Sequence, residues 1–519
     1  MEMRNNKLLG KADRLTFTQY LICLLAAFIP LLLMSKCSPF YPFNDWYDIN
    51  QIFTVGKGIV FGKVPYVHLD DQKGPYAYLI CMIGYLISHR SFLGVFVLEV
   101  VNLFFFSVFT EKSIRLFVKE SKFSSLLIPV ICTIIVSSSG FQHGGSMEEF
   151  SLGILAYALY SFLRILKEPQ KNNTWMYLIN GILFGFVFWT KFSMTGLFFV
   201  WFIVACFFIN KYIFKNIALF LGGFCLSTLP LIIYFGANHA LIAWLNSYIY
   251  RNVFIYGRGE KRSILTLLLQ DIGCLKDFLT QKGNLGILIF LAMGAILIFL
   301  PKSISKASVK GKISVVAMFI ISFLGVYAGG FDFGYYGMVL CVYLVFGAVA
   351  FLEISGMVMR KIKPGKIKEI VTISLLLLVD IFVVFVGFRI SDNTYMFKRN
   401  KEELPQYIFA KRIMEEPEGS RVLLNYGFLD CGVYTLLDQV PEMKYFASNN
   451  REYTAVLEEQ KNYLRQGIPD FVVTFYETVA DDETVESVLS EFDNYERLMS
   501  YPYYIEGGER TYSLWKKTQ

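Results

Sequence analysis

The sequence predicts an α-helical polytopic membrane protein of about 11 transmembrane helices with a small C-terminal α/β domain on the extracytoplasmic side. Three observations predict it. The 519 residues are 55% hydrophobic, with a mean hydropathy of +0.47, and the apolar residues come in long runs instead of at a period of two or 3.6. A helix needs about 20 residues to cross the hydrocarbon, so runs of about 18 or more read as spans, and only helices satisfy their own backbone in lipid. The segments between the runs are alternately basic. From about residue 390 charged residues become common and the apolar runs shorten.

The candidate spans are 16–36, 92–110, 122–138, 149–165, 176–190, 194–210, 217–235, 284–300, 312–328, 335–355 and 368–388. Arg4, Lys7, Lys11 and Arg14 precede the first of them. That run continues from Leu21 through Met34 into Ser35-Lys36-Cys37 without a small-residue cleavage site, so it reads as an uncleaved span. With the N-terminus in the cytoplasm, the inner loops hold Lys112, Arg115 and Lys119; Arg164, Lys167 and Lys171; Lys211 and Lys215; Lys302, Lys306, Lys310 and Lys312; and Arg360, Lys361, Lys363, Lys366 and Lys368. Every inner loop is then basic, and the alternation places the C-terminus outside.

The expected organisation is a transmembrane domain over 1–389, with a large first extracytoplasmic loop at 37–91, and an extracytoplasmic α/β domain over 390–519. Within the loop, Tyr76 to Ser88 is apolar but too short to span, and reads as an interfacial or re-entrant helix. In the trailing domain Arg421–Tyr426 and Asp470–Tyr476 read as buried strands, and 401–416, 453–466 and 482–492 as helices. Cys23, Cys81, Cys132, Cys206, Cys225 and Cys341 lie in apolar runs as small hydrophobes. Cys37, Cys274 and Cys431 lie outside them, and no Cys/His spacing reads as a zinc site. The net charge of +7 is modest, no nucleotide-binding glycine motif is present, and nucleic acid is not an expected partner.

Carboxylates near a membrane are informative, because burying a charge costs several kcal/mol unless it has a partner or a task. Asp45 and Asp48 flank Trp46-Tyr47, three apart and so on one face if helical. They read as a general base for an acceptor hydroxyl, or blandly as a solvated loop in which Asp caps a helix starting at Ile49. His68, Asp70, Asp71 and Lys73 precede the Gly74-Pro75 turn, and suit binding of phosphate or hydroxyls as well as a plain surface turn. His143, Glu148 and Glu149 sit at the entrance of a span, where acids favour the helix dipole. They would equally suit an acceptor or a divalent ion such as Mg²⁺ or Mn²⁺, which no spacing requires. Lys191 stands alone between two apolar runs, with Arg251, Arg258, Lys261 and Arg262 on the same expected side. Such cations grip phosphate, snorkel to headgroups or contact anionic lipid.

An ordered set of motifs adds to this reading. Asp48, Gly56-Lys57, Gly62, Pro65-Tyr66, Asp71 and Lys73-Gly74-Pro75 resemble the first outer loop of bacterial GT-C glycosyltransferases, relatives of the protein O-mannosyltransferases and of the lipid A aminoarabinose transferases. Gly144-Gly145-Ser146-Met147-Glu148-Glu149-Phe150 resembles their second-loop acidic motif, Thr190-Lys191 a Thr-Lys that follows a glycine-containing span, and Ile468–Val473 a strand of their trailing domains. The resemblance implies a polyprenyl-phosphate-linked sugar donor, an extracytoplasmic glycan or lipid acceptor and transfer with inversion. It implies Asp48 as the base, with Asp45 the alternative. Asp71, Lys73, Glu148, Glu149 and Lys191 would be substrate contacts, and Arg251 and Arg258 are added on charge alone. His68 stands where the family pattern has Asp, and Gln72 where it has His. Two other readings stay open: a transporter or flippase of lipid-linked glycans, which would need ionisable residues near span centres such as Asp380 and Glu353, and a noncatalytic scaffold.

Overall fold

In a computed structural model of the chain, the structure describes residues 14–118, 124–168, 174–209, 212–256, 263–299, 309–359, 366–448, 454–477, 489, 492–505 and 508–518. It is mostly helical, and the chain divides into two compact units, one built from Met1–Phe40, Phe96–Leu231 and Gly259–Thr394, the other from Tyr41–Val95, Ile232–Arg258 and Tyr395–Gln519.

The first unit holds long apolar helices. Among the described residues of the whole chain, 8 helices are long and apolar enough to cross a membrane, or up to 9 if the pair Leu265–Thr280 and Lys282–Leu297, bent by 74°, is one span. The expected spans and these helices differ at identifiable places. The expected span at 122–138 is a shorter helix, Ser124–Val136. Its start is fixed by the buried Glu111 carboxylate, which accepts from Ser124 Oγ at 2.8 Å and Ser125 Oγ at 2.9 Å and pairs with Arg115 Nε at 2.7 Å. The expected spans at 176–190 and 194–210 form one continuous apolar stretch, Thr174–Ile209. That stretch folds back on itself: Lys191 leaves helical geometry at φ −160°, ψ 100°. Beyond it Trp201 packs on Tyr177 at 5.4 Å and Ala205 O accepts from Tyr177 OH at 3.2 Å. The half Leu265–Thr280 of the bent pair has no counterpart among the expected spans.

The second unit joins the 41–95 loop and residues 232–258 to the C-terminal residues from Tyr395 on. The reason lies in the helix Tyr47–Val60. It is buried from Asp48 to Gly58 yet carries Asn50, Gln51, Thr54 and Lys57, which hydrocarbon would leave unpaired. The 430–435 segment supplies their partners. Thr435 Oγ1 donates to Asn50 Oδ1 at 3.3 Å, Thr54 Oγ1 to Asp430 Oδ2 at 2.6 Å, and Lys57 Nζ to Tyr434 O at 2.7 Å. Gly432 closes this contact at φ +99°, where a Cβ would meet Asn50 Oδ1 and Phe43 at 2.6 Å. The short apolar piece expected at Tyr76–Ser88 is the helix Pro75–Ile87, started by Gly74 with Pro75 in its first turn. It crosses Tyr47–Val60 at Gly56, where a Cβ would lie 2.7 Å from the backbone of Met82 and Tyr78.

The C-terminal sheet has the order β1-β2-β4-β3. β1 (Leu423–Asn425) runs parallel to β2 (Phe471–Glu477); β1 lies within the first stretch that the sequence marks as a strand, and β2 covers the second from Phe471 and runs one residue past its end at Tyr476. β4 (Gly508–Lys517) pairs antiparallel with β2 and with β3 (Tyr495–Ile505). β3 carries Pro502, tolerated because β3 is an edge strand. Helices Pro405–Met414 and Thr454–Arg465 lie within two of the expected helical segments, and most of 482–492 lies outside the described residues. Leu424, Val472, Leu464, Met443, Tyr495 and Trp515 form the core of this region.

Candidate active site

In the second unit, Asp48 is not a solvated helix cap. The helix starts at Tyr47 with Trp46 as N-cap, which puts Asp48 in the first turn, 5% exposed. Its Oδ2 accepts from Lys73 Nζ at 3.0 Å. Asp71 Oδ1 accepts from Gln51 Nε2 at 3.2 Å, and Tyr78 OH lies 3.0 Å from both Asp71 Oδ2 and Lys73 O. Tyr66, held at φ +68°, donates its hydroxyl to Lys73 O at 2.7 Å, so two tyrosines fix the backbone that presents the lysine. Asp48, Gln51, Asp71, Gln72, Lys73 and Leu429 line a tight cleft.

The electrostatics of the cleft follow from burial. Burial pushes the Asp71 carboxyl up to about 6, against the opposing pull of the Lys73 ammonium, a Gln72 backbone hydrogen bond and the Tyr78 hydroxyl. For Lys73 burial alone would favour the neutral amine, but the Asp48 and Asp71 carboxylates outweigh it and hold the ammonium above its usual range. The cleft therefore presents a carboxylate beside a fixed positive charge.

The other sequence-selected residues fall as follows. Asp45 is fully buried, and its Oδ2 accepts from Tyr395 OH at 2.8 Å and Tyr503 OH at 3.2 Å. His68 is exposed, and its Nδ1 accepts from Val64 N–H at 2.8 Å within the loop. Arg251, on the helical segment Asn246–Tyr256, grips both carboxylate oxygens of Asp70 at 2.9 Å. Arg258 lies outside the described residues.

In the first unit, Ser146 caps the helix Met147–Lys167 by accepting from Glu149 N–H at 3.1 Å, and Glu149 Oε2 accepts from Gly145 N–H at 2.9 Å. The helix-start reading of these acids thus describes their backbone role. Glu148 pairs with Lys191. The Lys191 ammonium also stands 3.8 Å over the Tyr336 ring and 5.4 Å from that of Tyr335. His143 is buried in the same loop, and its carbonyl accepts from Lys36 N–H at 3.0 Å. Among the described residues no group of three or more His, Cys, Asp or Glu side chains is placed to hold a metal ion, and no step below is routed through one.

Three of the basic residues chosen from sequence have an acidic partner: Lys73 with Asp48, Arg251 with Asp70, Lys191 with Glu148. Sequence reading missed Gln51, Tyr78, Tyr335, Tyr336 and the fully buried Glu99, whose carboxylate accepts from Ser35 Oγ at 2.8 Å. Gln51 had a signal, standing three residues after Asp48 on one helix face. Glu99 had one too, as a charge inside an apolar run. The tyrosines had none, since aromatic residues are common throughout the chain.

The fold is similar to that of a solved structure, ArnT from Cupriavidus metallidurans bound to undecaprenyl phosphate, with a TM-score of 0.60 over 96% of this chain and 97% of that one. At 11% sequence identity the likeness is one of fold. No family model matches the sequence, and no curated protein matches it.

Proposed function

We propose that the protein is a membrane glycosyltransferase that moves a sugar from a polyprenyl-phosphate carrier to an extracytoplasmic glycan or lipid acceptor, with inversion. The observation that carries this reading is the cleft in which Asp48, Asp71 and Lys73 converge, on a fold matched over nearly its whole length by ArnT, a structure bound to undecaprenyl phosphate. Asp48 takes the proton of the acceptor hydroxyl as that oxygen attacks the anomeric carbon, and the bond to the lipid phosphate breaks. The Lys73 ammonium, held charged beside two carboxylates, offsets negative charge as the phosphate departs. Asp45 is the weaker candidate, because its carboxylate is occupied by Tyr395 and Tyr503.

The test compares surface glycans in a wild-type strain, a deletion strain, and the deletion carrying Asp48→Asn at equal expression. Loss of one sugar in the deletion, still lost with Asp48→Asn, supports both the transfer and the base, and names the donor sugar. Full restoration by Asp48→Asn removes Asp48 from the mechanism. The reading also places the N-terminus in the cytoplasm and the C-terminus outside, and a cytoplasmic signal from a reporter fused after Gln519 would sink that placement. A transport reading draws on Asp380, midway along Ile370–Ile390, whose Oδ1 is buried without a hydrogen-bond partner. Purified protein that translocates a lipid-linked sugar across vesicles without transferring it would favour that reading.

A further inference from the structure

We propose that Gln51 is a positioning residue through which the C-terminal α/β region sets the orientation of the Asp71 carboxylate; the inference rests on the transferase reading of the cleft. Asp48 and Gln51 lie about one turn apart on the helix Tyr47–Val60, and both line the cleft. Gln51 is 1% exposed. Its Nε2 donates to Asp71 Oδ1 at 3.2 Å, and its Oε1 accepts from the Asp430 backbone N–H at 3.4 Å. Only one orientation of the amide serves both contacts, because a backbone N–H only donates and an ionised carboxylate only accepts.

Asp430 is itself held on several sides. Thr54 Oγ1 donates to its Oδ2 at 2.6 Å, while Gly432 N–H at 2.8 Å and Asn425 Nδ2 at 3.3 Å donate to its Oδ1. Asn425 ends β1, and Gly432 is locked at φ +99° against Asn50 and Phe43. A rigid path of hydrogen bonds therefore runs from the sheet edge through Asp430 and Gln51 to Asp71. The charged and titratable groups facing Asp71 are Asp48 on the same helix, Lys73 and Tyr66 on the loop and Tyr78 on Pro75–Ile87, with Asp430 beyond Gln51. Removing the Gln51 donor leaves the Asp71 carboxylate less well solvated, so its proton is held more tightly.

The test uses the full-length chain and two variants. Gln51→Glu keeps the acceptor for the Asp430 N–H but replaces the donor to Asp71 with a second acid, and Gln51→Met removes both arms. Two readouts are taken: isotope-edited infrared titration of the purified protein, with Asp71→Asn identifying the Asp71 band, and the surface sugar restored in the deletion strain at medium pH from about 5.5 to 8.5. The expected result is an Asp71 titration moved upward by about one pH unit or more in Gln51→Glu, so that sugar incorporation near pH 6 falls about fivefold or more and recovers toward wild type at the alkaline end. Thermal unfolding confirms that the variants are folded, and where Gln51→Met does not accumulate, the near-isosteric Gln51→Glu decides. An Asp71 titration identical to wild type in Gln51→Glu overturns the proposal. A titration that moves while no strain gains or loses a sugar leaves the positioning intact and counts against the transferase reading.

Discussion

Lys57 offers a quantitative test of how the second unit is held together. Its side chain is fully buried, and burial pulls its ammonium down from 10.5 to about 8, against the attraction of Asp438 and Asp430. The sign of the resulting pH dependence follows from linkage. The folded chain binds this proton less tightly than the unfolded chain, so stability rises with pH between the folded value near 8 and the unfolded value near 10.5. A gap of that size corresponds to roughly 3 kcal/mol in all, of which about 2 kcal/mol is regained between about pH 8 and 10. Lys57→Met carries no titrating proton and lacks this slope. It also removes the Lys57 Nζ donor to Tyr434 O, which keeps a backbone donor in Gln439 N–H at 3.2 Å, a loss of about 1 kcal/mol that is the same at every pH. Thermal unfolding of wild type and Lys57→Met in detergent, at intervals across that pH range, isolates the effect as a difference between curves, since tyrosines and other lysines titrate in both. The gap in Tm should widen in favour of wild type as pH rises. Parallel curves would refute the argument, and would mean that Lys57 keeps an ordinary ammonium despite its burial.

Three further outcomes follow from the same contacts. Lys73→Met strands the Asp48 and Asp71 carboxylates without their cation and should destabilise by about 3–5 kcal/mol, read by thermal unfolding, with loss of sugar transfer in the complemented deletion strain. Arg251→Met removes the guanidinium whose Nη1 contacts both carboxylate oxygens of Asp70, which is 2% exposed, and should cost about 3–5 kcal/mol; Arg251→Lys, which keeps a cation on a shorter side chain, should recover part of it. Sugar transfer should fall as medium pH drops through about 6, because burial has raised the Asp71 carboxyl to that point and protonation removes its negative charge beside Lys73 and Gln51; Asp71→Asn should be low and flat across the same range.

Much of the architecture was legible in the sequence because its signals are local. Span length and hydropathy are fixed by the thickness of hydrocarbon, so the long helices could be placed within a few residues. The strands of β1 and β2 showed as short buried apolar runs. β3 and β4 were missed because exposed Glu496, Arg497 and Lys517 and the edge residue Pro502 mask their pattern. The acids and bases of the cleft could be selected, since charges near apolar runs demand partners, and Asp48, Asp71 and Lys73 do converge.

What the sequence by itself determined was therefore the class of fold, the positions of the long helices and the pool of charged residues from which a site could be built. Only the tertiary structure decided which charges meet. It set Asp48 against Lys73 and gave Asp45 to two tyrosines, although both acids lie within three residues of each other. It also joined the 41–95 loop to the C-terminal residues, through Asn50, Gln51, Thr54 and Lys57. The physical reason is that a buried polar group needs a partner at hydrogen-bond distance, and for these residues the partners lie more than three hundred positions along the chain, where no periodicity or local propensity can point to them.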